Sequence, residues 1–171
     1  MQIILDDLSS PTVAQLLQQH LADMHSTSPP ESVHALDLNA LKAANIKFWC
    51  VWKNQQLLGC GALKLHDDKH GEIKSMRTHH EHRRKGVAAA MLQHIITYAH
   101  DQKLARLSLE TGSQTFFVPA HQLYLRHGFQ FCGPFADYQD DPNSKFMTLS
   151  LDNKSPQSQS NQGHHYSPKL E

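Results

Sequence analysis

The segment between residues 76 and 91 constrains the fold of this chain more than any other stretch. It reads MRTHHEHRRKGVAAAM, and in it a strand pattern passes through a basic turn directly into a helix. Residues 72, 74, 76 and 78 alternate with residues 73, 75 and 77, a period of two that is typical of a strand. From Val87 to Ala99 the apolar side chains recur at helical spacing. The sequence therefore predicts a strand–turn–helix unit with its turn at residues 83–86.

This turn has the chemistry of a phosphate-binding site. The first N–H groups of a helix have no intrahelical partner, and they lie at the positive end of the helix dipole. Gly86 allows a ligand to approach the backbone closely, and Ala88 keeps a nearby position small. Three cations surround the same turn, namely Arg83, Arg84 and Lys85. We therefore expect a cradle for a pyrophosphate, with an ordinary basic helix start as the alternative that the residues alone leave open.

Three stretches of the chain, taken in order, resemble the GCN5-related N-acetyltransferases, the GNAT family. The pattern Arg-x-x-Gly-x-Ala that begins at Arg83 resembles the acetyl-coenzyme A motif of that family. Residues 123–129, LYLRHGF, resemble its late helix-to-strand signature, and residues 46–65 resemble the hairpin before its cofactor strand. The resemblance covers residues 1–151. It implies an α/β (α+β) fold in which about four helices flank a mixed, mostly antiparallel sheet of six to seven strands.

The resemblance also implies a function and a set of cofactor-binding residues. The function is the transfer of an acetyl group from acetyl-coenzyme A to a primary amine, by direct attack in a ternary complex. In the resembling family, backbone groups of one strand hold the thioester and the pantetheine arm, and these positions fall on Met76, Arg77 and Thr78. The pyrophosphate would be bound by Arg83, Arg84, Lys85, Gly86, Val87 and Ala88. Core packing is the alternative role for Met76.

One acid and two rival bases are the candidates for proton transfer. Tyr124 matches the tyrosine that protonates the departing thiolate in the resembling family, and a phenol with a pKa near ~10 suits that role. Glu72 matches the base of the histone-acetylating branch, and we expect it on the strand face of Met76, roughly 13 Å away, with Arg77 on the opposite face. Glu110 is the rival base. A packed tyrosine and a solvent-facing carboxylate are the structural alternatives.

The acceptor is expected to be a small-molecule or peptide amine. The long loop predicted at residues 134–144 carries Asp137, Asp140 and Asp141, which favour a cationic acceptor. A non-catalytic acyl-coenzyme A sensor is the alternative function. Sixteen basic and 16 acidic residues give a formal net charge of zero, which argues against a nucleic-acid partner. No apolar run is long enough to span a bilayer, so no membrane partner is expected. A homodimer is left open.

The cysteines and histidines bear on redox and metal chemistry. The three cysteines lie in apolar surroundings and indicate free thiols in a reducing compartment; they are Cys50, Cys60 and Cys132. The free thiols, together with the lack of a basic N-terminal segment of the secretory type, predict a cytoplasmic location. Histidine occurs 14 times, with a cluster at His79, His80 and His82. Because neither paired cysteines nor an H-E-x-x-H spacing accompanies them, we expect solvated loop histidines and no metal.

The other elements follow from the same periodicities. The pattern predicts a first strand at residues 2–6, a helix that begins near Ser10 and a second, short helix over residues 32–44. Further strands are predicted at residues 47–52, 57–65, 104–110, 129–132 and 145–151, with a helix at residues 116–126. Residues 1–152 would then form one N-acetyltransferase domain. Residues 153–171 are rich in Ser, Gln and Asn and predict a disordered tail, whose terminal Leu-Glu is compatible with a cloning scar.

Overall fold

One sheet of seven strands runs through the chain in the order β1-β2-β3-β4-β5-β7-β6. The computed structural model describes residues 1–152, so the predicted tail lies outside the described residues. The strands are β1 (Gln2–Leu5), β2 (Ile46–Lys53), β3 (Gln56–Leu65), β4 (His70–Thr78), β5 (Arg106–Gly112), β6 (Gln130–Cys132) and β7 (Ser144–Ser150). Every pairing is antiparallel except that of β4 with β5. The mixed, mostly antiparallel sheet is therefore confirmed.

Three α-helices cover the two faces of the sheet and define two apolar cores. They are α1 (Pro11–Thr27), α2 (Val87–Asp101) and α3 (Val118–Arg126). On one face α1 packs Leu16 and Leu17 with Cys60 of β3. On the other face α2 packs Leu92 with Ile73 of β4. Membership of the α1 core or the α2 core therefore shows to which face a strand side chain points.

The predicted helix over residues 32–44 is wrong. The segment holds two short 3-10 turns instead, Pro30–Ser32 and Ala40–Lys42. Asp37 accepts a hydrogen bond from the Ala40 N–H at 2.8 Å, which favours a turn over a helix. The carbonyl of His34 accepts a hydrogen bond from Lys74 of β4, so tertiary contacts also hold the segment. Three α-helices thus flank the sheet where about four were expected.

A bulge in β4 reverses the side-chain alternation of that strand. The register changes from Ala62↔Lys74 to Cys60↔Arg77, so Ser75 and Met76 lie opposite one residue of β3. Ser75 has a φ of 53°, in the left-handed region. One extra residue moves every later side chain to the other face.

The bulge corrects the predicted orientation of three β4 side chains. Met76 packs in the α2 core, whereas Glu72 lies on the α1 face, across from the core residue Ile73. Arg77 pairs with Asp23 of α1, so it shares the face of Glu72. The prediction that Glu72 and Met76 share a face, with Arg77 opposite, is therefore wrong, because a strict period of two does not include the extra residue.

The two parallel strands separate along their length. The β4–β5 ladder consists of His70↔Arg106, Gly71↔Leu107 and Glu72↔Ser108. Beyond it β4 continues to Thr78 and β5 to Gly112, paired only with their outer neighbours β3 and β7. The inner edges of both strands therefore present unpaired backbone groups to an open wedge. Within residues 1–152, no helix combines the length and the apolar character that crossing a bilayer requires.

Candidate active site

The predicted phosphate turn forms at the N-terminus of α2. Gly86 is the residue that precedes the helix and has a φ of 79°, and Arg84 is also left-handed with a φ of 59°. A Cβ atom added to Gly86 would meet no atom within 4 Å, so the space beside the turn is open. Val87 is buried and anchors the first turn of the helix against Gly59 of β3. The unpartnered N–H groups at this end of α2 therefore border open space.

The charged side chains of the turn are accessible to an anion. Arg83, Arg84 and Lys85 are all exposed. Lys85 donates from Nζ to the Glu81 carbonyl at 3.0 Å. Among residues 1–152, the ion pairs include neither Arg83 nor Arg84. Room, helix N–H groups and positive charge occur together here, which is what a pyrophosphate group requires.

The three strand residues predicted to hold the cofactor lie beside the wedge, and two of them use their side chains elsewhere. Met76 packs in the α2 core, beside Gly61 and Met91. Arg77 extends from Nη1 to Oδ2 of Asp23 at 2.5 Å, and its side chain is 11% exposed. Any contact of Met76 or Arg77 with a ligand in the wedge would therefore use backbone groups, as we expect for Thr78 also.

Glu72 lies in a network of hydrogen-bond donors. Its side chain is only 2% exposed. Tyr138 donates to Oε1 at 2.5 Å, Lys74 Nζ lies 3.2 Å from the same oxygen, and His66 Nε2 lies 2.7 Å from Oε2. Burial by itself raises the pKa of Glu72, but the Lys74 ammonium and the hydrogen bonds outweigh it, so the pKa lies below its ordinary value. A carboxylate stabilised in this way is a weak base.

Glu110 lies on the same face in a different environment. It lies two residues after Ser108, where the β4–β5 ladder ends, and it pairs with Phe146 of β7. Its neighbour Leu109 belongs to the α2 core, so Glu110 points to the α1 face. Burial raises the pKa of Glu110 above its ordinary value. No ion pair within the described part of the chain includes this carboxylate.

Tyr124 is a core residue whose hydroxyl has no protein partner in the described part of the chain. The residue is 6% exposed, and its ring packs edge-on against Phe129 with the ring centroids 5.6 Å apart. Burial is the single cause that raises the pKa of the phenol above its ordinary value. The side chain therefore stays protonated at neutral pH, and its raised pKa makes it a weaker proton donor than the ordinary phenol assumed from the sequence.

A cavity of about 630 Å³ opens on the α1 face beside Glu72. Its walls come from the segment after α1, from β3 and β4, and from the loop between β6 and β7. Ser32 donates to Oδ2 of Asp141 at 2.6 Å and so ties the first of these segments to the loop. The acidic residues of the lining are Glu31, Glu72, Asp137, Asp140 and Asp141, with Lys64 as its cationic residue.

The residues that hold Glu72 were not identified from the sequence. Tyr138 is 66 positions away along the chain, in the loop predicted at residues 134–144. That loop is irregular as expected, yet it buries Phe135 and brings Tyr138 over the sheet. No local pattern indicates such a contact. His66 could have been found, since it lies across a short turn from Glu72 in the β3–β4 hairpin.

Comparison with known proteins agrees with this geometry. Residues 13–129 match the sequence profile of the Acetyltransferase (GNAT) family. The chain is 55% identical to the uncharacterised N-acetyltransferase YedL of Escherichia coli over 146 residues, which are 85% of this chain and 92% of that protein. It is also 55% identical to the uncharacterised N-acetyltransferase YsnE of Bacillus subtilis over 151 residues, 88% of this chain and 100% of the relative.

A solved structure extends the comparison to the fold. A GNAT family acetyltransferase from Elizabethkingia anophelis, crystallised with acetyl-CoA bound, superposes with a TM-score of 0.61 at 15% identity. The match covers 88% of this chain and 97% of that chain. With a family profile across most of the chain and two relatives at 55% identity, the chain belongs to the GNAT family of N-acetyltransferases and is an acyltransferase.

Proposed function

We propose that this acyltransferase moves an acetyl group from acetyl-coenzyme A to a primary amine, by direct attack in a ternary complex. The observation that carries the proposal is the open wedge between β4 and β5, which begins where the ladder ends at Glu72. The phosphate turn follows the far end of β4, and the acidic cavity borders Glu72. A donor bound at the turn and an acceptor bound in the cavity would therefore meet along the wedge.

The donor side of the site would bind acetyl-coenzyme A through backbone groups and surface cations. The N–H groups at residues 86–88, together with Arg83, Arg84 and Lys85, would bind the pyrophosphate. Backbone groups of Met76, Arg77 and Thr78 would hold the pantetheine arm. The bulge supports this role, because it removes Met76 from regular pairing with β3 and leaves its N–H for the thioester oxygen.

The transfer step needs one base and one acid. The amine nitrogen attacks the thioester carbonyl carbon, the new C–N bond forms, and the C–S bond breaks with its electron pair on sulfur. We assign Glu110 to receive the amine proton, directly or through water, because its raised pKa makes it the stronger base of the two carboxylates. Glu72 is the alternative. Tyr124 would return a proton to the departing thiolate.

The acceptor would be cationic before it reacts. The lining of the cavity carries five carboxylates and a single lysine, and Lys74 beside Glu72 neutralises one of the five. An ammonium group is attracted to such a surface, and it must lose a proton to the base before attack.

We also propose a cytoplasmic location. The three cysteines are all unpaired, which is typical of a reducing compartment.

A panel of amines with acetyl-coenzyme A tests the proposal. The panel should contain diamines, amino acids, basic peptides and neutral aromatic amines, and release of the coenzyme A thiol should be recorded with each. We expect turnover with at least one cationic amine, together with a product heavier by one acetyl group. Binding of acetyl-coenzyme A without turnover on any amine would contradict catalysis and leave the sensor as the function.

A further inference from the structure

The segment between β4 and the phosphate turn brings together three side chains of the kind that bind transition metals. The ligand atoms of His79, Glu81 and His82 all lie within 4.8 Å of one another. Nδ1 of His79 is 4.0 Å from Oε2 of Glu81. We propose that these three residues bind one divalent transition-metal ion, for which Zn²⁺ is the probe. The proposal is independent of the acetyl-transfer chemistry.

The backbone of this turn is fixed, so the three side chains start from defined positions. The His79 N–H donates to the Leu58 carbonyl of β3 at 2.8 Å, immediately after the end of β4. The His82 N–H donates to the His79 carbonyl at 2.9 Å and closes the 3-10 turn His80–His82. From the sequence, solvated loop histidines and no metal were expected here, because no metal-ligand spacing accompanies them. The structure brings the three ligand atoms together within a single turn.

Two imidazoles and one carboxylate form a ligand set that suits borderline metals such as Zn²⁺, Co²⁺ and Ni²⁺. Ligands at roughly 2.0–2.1 Å from a tetrahedral Zn²⁺ lie about 3.3 Å from one another, so the side chains must close by an ångström or so. The Glu81 side chain is 69% exposed and can change rotamer freely. Its backbone N–H makes only a long hydrogen bond of 3.4 Å to His79 Nδ1, which a metal on that nitrogen would replace.

The surrounding charges set the expected strength of the site. Arg83, Arg84 and Lys85 follow the turn directly and repel a cation, so imidazole coordination rather than net charge has to provide the affinity. Water would complete the coordination shell, since the described side chains supply only three ligands. We therefore expect a site of moderate affinity that exchanges its ion with the solution.

Calorimetric titration of Zn²⁺ into the full chain tests the assignment. His82→Ala and Glu81→Gln should each weaken the site by about tenfold or more, because even an outer partner of a metal ligand contributes tenfold to a hundredfold. His80→Ala is the matched control, because it removes a histidine from the same turn that is not one of the three ligands. All other histidines are retained in every variant, so differences between variants report on this turn.

The expected pattern is equal binding by the wild type and His80→Ala, with the affinity of the one-ion site reduced by about tenfold or more in the other two variants. Melting temperatures without metal establish that each variant is folded, which the exposure of His80 and Glu81 and the half-buried position of His82 favour. Titration with Co²⁺ gives a second readout, since its visible absorption reports the ligand set directly. Absence of a one-ion site in the wild type overturns the proposal. An equal loss in His80→Ala overturns it as well, because it would indicate diffuse binding to surface histidines.

Discussion

At the scale of single residues, Glu72 and Glu110 differ in what surrounds them more than in where they lie. Both point to the α1 face near the start of the wedge. Lys74, Tyr138 and His66 stabilise the charged form of Glu72 and lower its pKa against burial, whereas burial dominates at Glu110 and raises its pKa. In the proposed mechanism Glu72 has a structural role and Glu110 is the base, and isosteric amides at the two positions test this assignment.

Glu72→Gln should destabilise the fold, whereas Glu110→Gln should leave stability unchanged or increase it. The amide at residue 72 leaves the Lys74 ammonium buried without its counter-charge, which costs roughly 3 kcal/mol. The amide at residue 110 removes a half-buried charge that has no ion-pair partner in the described part of the chain. Turnover should fall by about 10²-fold in Glu110→Gln if that residue is the base. Urea unfolding and steady-state turnover measure the two effects.

The lowered pKa of Glu72 also predicts how stability changes with pH. The pKa is lower in the folded than in the unfolded chain, so the stabilisation is present at neutral pH and is lost as the pH falls below about 4. The difference in unfolding free energy between the wild type and Glu72→Gln should therefore disappear in that range, as measured by urea unfolding at several pH values.

The same two variants test the assignment of the base. Loss of turnover in Glu72→Gln at full stability, with Glu110→Gln active, would assign the base to Glu72 instead.

Tyr124→Phe should reduce turnover with little effect on folding. The ring and its packing on Phe129 are retained, and the lost hydroxyl has no hydrogen-bond partner within residues 1–152. Stability should therefore stay the same, while turnover falls by about 10²-fold if the hydroxyl protonates the thiolate. Thermal melting beside steady-state turnover measures both. Full turnover, under conditions where chemistry limits the rate, would exclude Tyr124 from the mechanism.

At the scale of elements, one added negative charge in the turn before α2 should be enough to prevent phosphate binding. Gly86→Glu places a carboxylate where phosphate is expected and should abolish the binding of acetyl-coenzyme A in a calorimetric titration. Gly133→Glu is the matched control, because Gly133 is also exposed with open space around it and lies far along the chain. Gly86→Ala introduces the strain of a side chain at a positive φ, about 1–2 kcal/mol, without a charge. It therefore shows how much of the loss in Gly86→Glu is due to strain.

Wild-type affinity in Gly86→Glu would remove the phosphate from this turn. Equal losses in Gly86→Glu and Gly133→Glu would attribute the effect to overall charge rather than to the turn.

The elements also show how far the sequence alone can predict this fold. The turn and α2 were predictable because their signals are local: a period of 3.6, a glycine and neighbouring cations. The bulge at Ser75 was not, because a serine with a positive φ has no composition signal and the register depends on β3. The segment at residues 32–44 was mistaken for a helix because its apolar spacing ignores Asp37, which forms a turn.

Parts of the candidate site could be predicted from the sequence, and other parts required the structure. The phosphate turn and Tyr124 each lie within a short motif, so sequence could propose them. The environment of Glu72 depends on Tyr138, which is 66 positions away, and no single sequence shows which loop closes over which strand. The relative basicity of Glu72 and Glu110 follows from that environment, and it therefore required the structure.

At the scale of the whole molecule, the sheet divides into two parts at the wedge. Strands β1 to β4 with α1 form the first part, and β5 to β7 with α3 form the second. Three residue pairs of the β4–β5 ladder, the core beneath α2 and hydrogen bonds of the β6–β7 loop to Glu72 and Ser32 join them. A ladder this short offers little resistance to opening, since each pair contributes only one or two hydrogen bonds.

Because the ladder is short, a ligand in the wedge that contacts both parts should stabilise the two parts against opening. A molecule whose groups replace the missing strand pairs would couple their opening, so its free energy of binding would appear as slower amide exchange on both sides. We expect acetyl-coenzyme A to protect amides of β5 and β7 as strongly as those of β4, as measured by hydrogen–deuterium exchange with mass spectrometry. Protection confined to β4 and α2 would mean that the donor rests on one part alone. Additional protection of the second part would then have to come from the acceptor, so the order in which the two substrates bind would determine when amide exchange slows there.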